Sequence, residues 1–257
     1  MALFDRAGRG LVLTEAGRQL LPHVRGMADA AARIPLTASG QSQDLAGTVS
    51  ITASDTFATK VLPSVIADLT RLAPELEIEV ISANDLRDIA RRESDIAIRH
   101  VRPTDPQLTA RLLGHGSAHL FAASSYLDLR GRPKSLDDLA THDFIGFADI
   151  PRMVETLNAT QIPVTARNFR TRTDSGLAMW EMIRAGLGIG LMTADIALTT
   201  TDTELLLRSE VDFRFPYWLV THRELHSARR IRHVYDHLAE AITAHIRRTD
   251  ARMGRGA

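Results

Sequence analysis

Two short stretches carry residue types that could hold a small molecule: "TASDTF" at residues 52–57 and "TRTDSG" at residues 171–176. Each sets hydroxyl and carboxylate side chains where a β-forming run gives way to a helix-forming one. At such a junction the first N–H groups of the helix lack intrahelical partners and the helix dipole adds partial positive charge, so polar ligands bind there. Ser54 and Thr56 offer hydroxyls beside those amides, with Asp55 between them. Thr173, Asp174 and Ser175 repeat the arrangement further along, and Arg99, ending "DIAIRH", could supply a counter-charge. Taken singly, each residue is explained equally well as a helix cap. Taken together, two such edges facing across a hinge make a cleft for a small polar molecule.

Other patterns point to less. "GLGIG" (186–190) has the glycines of a dinucleotide fingerprint, but they close a helix and open a strand, the reverse of what phosphate binding needs. Its spacing predicts a helix C-cap followed by a buried strand. "DSG" (174–176) lacks the flanking glycines of a nucleophile elbow. "HRELH" (222–226) and "HVYDH" (233–237) pair histidines four apart, without the glutamate that a zincin motif places after the first. Nothing here speaks for catalysis, a metal or a cofactor. The expectation is a protein that is not an enzyme.

The elements that must position the two stretches alternate. "TVSITA", "LEIEVI" (76–81) and "DIAIRH" read as strands, with helices at Val61 to Ala73 and at "DLRDIARRE" between them. That order implies right-handed crossovers and a parallel sheet. The glutamates alternating with Leu76, Ile78 and Val80 give one strand a polar face, as at a sheet margin or subunit contact. From residue 108 the expected strands come faster: "LTARLLGH", "SAHLFAAS", "FIGF", "NFRTRT", "GIGLMT", "TELLL" and "YWLVTH". Helices are expected near 152–159 and at Ser175 to Ala185, and a closing helix carries Ile231, Val234, Leu238, Ile242 and Ile246. Two α/β lobes follow, with the chain crossing near 101–115 and returning near 216.

Upstream, "LFDRAGRGLVLTEAGRQLL" (3–21) reads as a two-stranded hairpin followed by a helix that Thr14 caps. Gly17, Leu20, Val24, Met27, Ala31 and Ile34 are spaced as a seam that pairs with another helix, and Leu20, Val24, Met27 and Ala31 are its candidate dimerisation residues. Pro22 should kink that helix and Pro35 end it. "TASGQSQDLAG" (37–47) reads as a linker.

Bulk numbers bound the class. In 257 residues, Lys plus Arg and Asp plus Glu number 31 each, so no global field draws the chain to nucleic acid or an anionic membrane. There are no cysteines, which excludes disulfides and thiolate chemistry. No run approaches a membrane span and no signal-peptide core is visible, so a cytoplasmic location is expected.

Leu3-Phe4, Arg6, Arg9, Leu13-Thr14, Ala16-Gly17 and Leu20-Leu21 together resemble the wing and first linker-helix turns of the LysR-type transcriptional regulators. The resemblance continues through "GTVSITASDTFATKVLPSVIADLTRLAPELEIEV", "DIAIRH" and "MIRAGLGIGLMT". It implies two Rossmann-like subdomains, similar to a periplasmic binding protein of type 2, with an inducer between them. They follow a wing remnant (1–14) and a linker helix with linker (15–46). The effector-binding domain would span 47–257, with subdomain I at about 47–112 and 217–250 and subdomain II at about 113–216. By resemblance Ser54, Thr56 and Thr173 match cleft positions, and Gly146 and Phe147 lie on a strand end that commonly lines it. A homodimer or homotetramer is implied, with DNA bound through the full-length parent.

Two departures stand out. The helices that precede the wing in this family, including the recognition helix, have no counterpart ahead of Leu3, so the expectation is that Met1 is an internal start or the chain a truncated product. Arg6 and Arg9 could touch phosphate, which positions a protein but specifies little sequence, so this chain is expected to bind DNA weakly alone. Asp55 between two hydroxyl residues would oppose an anionic inducer, unless it caps the helix or pairs with Arg99. The rival reading is a free-standing solute-binding protein of similar fold.

Overall fold

The computed structural model describes residues 2–7, 10–21, 23, 24, 27, 45–84, 94–147, 149–198 and 200–254. Arg9, Pro22, Ala31, Ile34, Pro35, most of the expected linker and the expected helix at 85–93 lie outside the described residues.

The chain opens on an antiparallel hairpin of β1 (Phe4–Ala7) and β2 (Gly10–Leu13), with Phe4 opposite Leu13. Thr14 then caps the helical residues 15–21 (α1), its Oγ1 accepting the Gly17 N–H at 3.0 Å. Leu20, Val24 and Met27 are exposed, as are Phe4, Leu11 and Val12 of the hairpin.

The first lobe is built on β3 (Gly47–Ala53), β4 (Leu76–Ser82) and β5 (Ile96–Arg99); β3 lies between the other two and runs parallel to both. β4 is the edge strand, and its exposed glutamates sit where the alternation of the sequence places a polar margin. Asp95 holds the centre of the sheet together. Its Oδ2 accepts from the Ser50 N–H (2.8 Å) and hydroxyl (2.9 Å), and its carbonyl accepts from Thr221 Oγ1 (2.8 Å).

The crossover after β3 is two helices, α2 (Asp55–Lys60) and α3 (Leu62–Leu72), where the apolar spacing predicts one from Val61. Pro63 lies in the first turn of α3, where its missing N–H costs nothing. The long helix α8 (Arg229–Arg252) lays a stripe of Ile231, Val234, Leu238, Ile242 and Ile246 onto the sheet.

The expected strands "LTARLLGH" and "SAHLFAAS" are one strand, β6 (Leu108–Ala123), running antiparallel to β11 (Phe213–His222). Both strands serve both lobes, so the chain crosses within strands, not in loops. The register slips between Tyr217↔Gly114 and Trp218↔Leu112, a bulge at which Gly114 takes φ +152°, a conformation that suits glycine. Below the bulge β11 pairs with β5; beyond it β6 pairs with β9 (Gly190–Thr193) and β10 (Thr203–Leu206).

The second lobe adds the short parallel pair β7 (Ile145–Phe147) and β8 (Thr171–Thr173), joined to the region of β9 through the Ile145 N–H bond to the Ile189 carbonyl at 2.8 Å. Its helices are α4 (Ser124–Arg130), α5 (Ile150–Ala159), α6 (Gly176–Arg184) and α7 (Ala194–Ala197). Leu120, Tyr126, Leu127, Phe144, Leu157 and Ile162 form a separate core there. The "GLG" turn closes α6: Gly186 at φ +78° gives its N–H to Ile183 and Leu187 gives its own to Met182. That pair of bonds is a Schellman cap, the structure the order of helix, glycine and strand predicts.

Among the described residues no helix is long and apolar enough to cross a membrane, and no group of three His, Cys, Asp or Glu could hold a metal ion. His226 packs edge-on against Tyr235, and His237 Nε2 lies 3.3 Å from the Val65 carbonyl oxygen.

Candidate functional site

The end of β3 and the start of α6 meet across a cleft of about 360 Å³. Ser54, Asp55, Thr56 and Asn84 line it from the first lobe, and Phe147, Gly176, Met179, Leu191, Met192 and Thr193 from the second. His100, Ala118 and Phe215 close it where the long strands cross. A second hollow of about 430 Å³ adjoins it, sharing Phe147, Met179 and Leu191 and reaching Asp149, Arg152 and Met153 on or beside α5.

Ser54 is the N-cap residue of α2, yet its side chain makes no capping bond; its Oγ lies 3.4 Å from Thr56 Oγ1. Two hydroxyls therefore sit together at the cleft wall. Asp55 instead reaches across it. Its Oδ2 accepts from Ser175 Oγ at 2.6 Å and the Leu177 N–H at 3.3 Å, and its Oδ1 accepts from the Thr56 N–H at 2.6 Å. Partial burial pushes the Asp55 carboxyl up, but hydrogen bonds from Ser175, Asn84, Leu177 and Thr56 outweigh it and hold the group below the usual carboxylate range.

Asn84 makes a second link between the lobes. Its Oδ1 accepts from the Asp55 N–H (3.1 Å) and its Nδ2 donates to the Asp174 carbonyl (3.1 Å). Ser175 caps α6 by accepting the Ala178 N–H at 3.1 Å while it donates to Asp55. Gly176 follows directly, and an added Cβ there would lie 3.1 Å from both Asp55 Oδ1 and Thr56 Cγ2. A side chain there would require Asp55 or Thr56 to give way by a few tenths of an ångström.

Not every expected residue reaches the cleft. Arg99 is buried, with its guanidinium donating to Thr52 Oγ1 (3.0 Å) and the Ile98 carbonyl (3.0 Å), and it is not part of the cleft wall. The next residue, His100, just past the end of β5, lines the cleft instead. Thr173 is spent on the turn, its Oγ1 accepting the Ser175 N–H at 3.1 Å, and Asp174 contributes its carbonyl to Asn84. Gly146 packs under Ile150 and Phe169; its neighbour Phe147 is the wall residue. Arg6 is exposed on β1.

His100, Asn84, Thr193 and the apolar wall residues carried no local signal beyond strand alternation. His100 packs edge-on against Phe215 (4.7 Å) and Tyr217 (4.9 Å), with Nδ1 3.3 Å from the Pro216 carbonyl oxygen. Burial is the main force lowering its pKa, against the Pro216 bond and the Asp195 charge, which favour the imidazolium; Arg99 disfavours it.

The unfolded chain, with a histidine near 6.5, therefore takes up protons before the folded one does. Stability is full above about pH 6.5 and falls as pH drops below it. His142, lowered mainly by burial and also by Arg130, acts in the same direction. The variant His100→Gln should accordingly show a shallower loss of melting temperature between about pH 6.5 and 5 than the parent; an unchanged slope would show that His100 contributes nothing to it.

Residues 42–243 match the model of the LysR substrate binding domain. The HTH-type transcriptional activator AaeR of Escherichia coli (strain K12) is 26% identical over 228 residues, 86% of this chain and 74% of that protein. ShiR, an HTH-type transcriptional regulator of Corynebacterium glutamicum (strain R), is 26% identical over 212 residues, 79% of this chain and 69% of that protein. The regulatory domain of CrgA, a LysR-type transcriptional regulator from Neisseria meningitidis, shares the fold with a TM-score of 0.67 at 22% identity, over 76% of this chain and 98% of that one. Full-length AphB, the Vibrio cholerae virulence activator, shares it at 0.66 and 19% identity, over 93% of this chain and 84% of that one. With most of its length matched, the chain belongs to the LysR-type transcriptional regulators and carries their substrate-binding domain.

Proposed function

We propose that the cleft between the lobes binds a small-molecule effector and that closure of the lobes on it is passed to DNA-bound subunits. The supporting observation is the pair of direct links across the cleft, Asp55 to Ser175 and Asn84 to Asp174, which lie beside a hollow large enough for a metabolite. A ligand that stabilises one arrangement of these links shifts the relation between the lobes by its differential affinity. Ser54, Asp55, Thr56, Phe147 and Ser175 are the contact set in this reading. The chain acts in the cytoplasm as a regulator and not as an enzyme.

The exposed Leu20 of α1, with the exposed Val24 and Met27 after it, supports association through this segment, as a dimer or tetramer. Arg6 would rest on phosphate beside a recognition element that reads the bases. The test is a thermal-shift screen of metabolites followed by calorimetry and small-angle scattering. A hit should raise the melting temperature, compact the particle and lose affinity in Phe147→Ala. Hits that bind unchanged in Phe147→Ala would remove the cleft as the effector site.

A further inference from the structure

Asp55 is a charge in a place where a ligand's charge would go. Donors converge on its carboxylate from two sides: the Ser175 hydroxyl and Leu177 N–H at the start of α6, and the Thr56 N–H at the start of α2, with the Asn84 side chain beside them. Those groups belong to both lobes, so the side chain spans the cleft as a bound anion would. We propose that Asp55 is a built-in stand-in for an anionic ligand, and that the cleft therefore takes an uncharged or cationic effector with an apolar body and rejects carboxylates. The proposal rests on the cleft being the effector site.

Further observations carry it. Among the described residues that line the cleft, Asp55 and His100 are the ionisable ones, so no lysine or arginine there offsets a second negative charge. Arg99, the cation at the end of β5, is buried against Thr52. Arg152 sits at the adjoining hollow with Asp149, which keeps the charges there balanced. The remaining wall is apolar and adaptable: Met179 and Met192 are flexible, polarisable side chains, and Phe147 and Phe215 offer aromatic faces. The Ser54 and Thr56 hydroxyls, with neutral His100, can serve one or two uncharged polar groups.

Benzamide, benzylammonium and benzoate share one aryl body and differ in charge, which makes them suitable probes for titration of the full chain by calorimetry or ligand-observed NMR. Benzamide or benzylammonium should bind at least about tenfold more tightly than benzoate, because like charges at close range in a part-buried site repel strongly. In Asp55→Asn the difference should vanish, with benzoate gaining about tenfold and benzamide changing by less than about threefold. Benzoate binding the parent as tightly as benzamide would overturn the proposal and leave the cleft reading standing. So would discrimination that survives in Asp55→Asn. If none of the three binds either protein, the cleft reading fails and takes the proposal with it.

Discussion

Asp195→Ala is expected to lower the melting temperature by about 6–12 °C, from a loss of about 3 kcal/mol. Asp195 lies in the first turn of α7 with its side chain buried, yet its Oδ2 accepts from Tyr217 Oη on β11 and from His245 Nε2 on α8, each at 3.1 Å. One carboxylate thus ties a second-lobe helix to the crossing strands and to the long first-lobe helix. Burial raises the Asp195 carboxyl, but bonds from His245, Thr193 and Tyr217 overcome it and hold the group below the ordinary range. Tyr217 moves the other way: burial first, then the Asp195 charge, raises its pKa well above the usual value, so the phenol keeps its proton and donates. Truncation would leave both partners without their acceptor in a place with little room for water, and removing one side of a buried polar cluster is what costs most.

The pH dependence has a definite sign. A depressed carboxylate contributes stability that is present above the unfolded value of about 4 and is lost as pH falls through the folded value. Asp195→Ala should therefore have a flatter acid limb than the parent as well as a lower plateau. Asp195→Asn, which keeps an acceptor, should lose about a third as much. Thermal denaturation across pH 3–8 reads all three. A change under about 1 °C in Asp195→Ala would mean that desolvation cancels the cluster's attraction, as happens for some buried charges.

Gly176→Val should weaken any ligand bound between the lobes at least tenfold, about 1.4 kcal/mol, while costing the fold less than about 2 kcal/mol. A Cβ alone would already press on Asp55 and Thr56, and the two methyls of valine would extend further into the same gap. Asp55 cannot simply swing aside, because its carboxylate is held on two sides by Ser175 and the Thr56 N–H. The wedge would be relieved by parting the lobes, which removes the contacts a ligand makes with one of them. Titration of a cleft ligand against parent and variant, beside urea denaturation of both, separates affinity from stability. Affinity retained within about twofold would show that the lobes need not approach at Gly176 for binding.

Much of this architecture is legible in short stretches. The Schellman cap at Gly186, the apolar stripe of α8 and the polar margin at β4 each depend on residues within a few positions of one another. Helix and strand periods, caps and glycine's positive φ express themselves over that range, so spacing along the chain predicts them. The same is true of Ser175 as the cap of α6 and of Thr14 as the cap of α1. The family resemblance follows from the same local order of strand ends and helix starts.

Who meets whom across the cleft is set by the folded chain. Asp55 and Ser175 are 120 residues apart, and Asn84 and Asp174 are 90; no local pattern encodes either pairing. That Arg99 ends buried against Thr52 while His100, one residue on, lines the cleft depends on how the end of β5 sits in the shared sheet. β6 looked like two strands because Gly114 and Gly116 interrupt its apolar run, whereas pairing with β11 on one side holds it as one. Local periodicity determines each element; the order of strands in the shared sheet, set by distant hydrogen bonds and burial, determines which elements face each other.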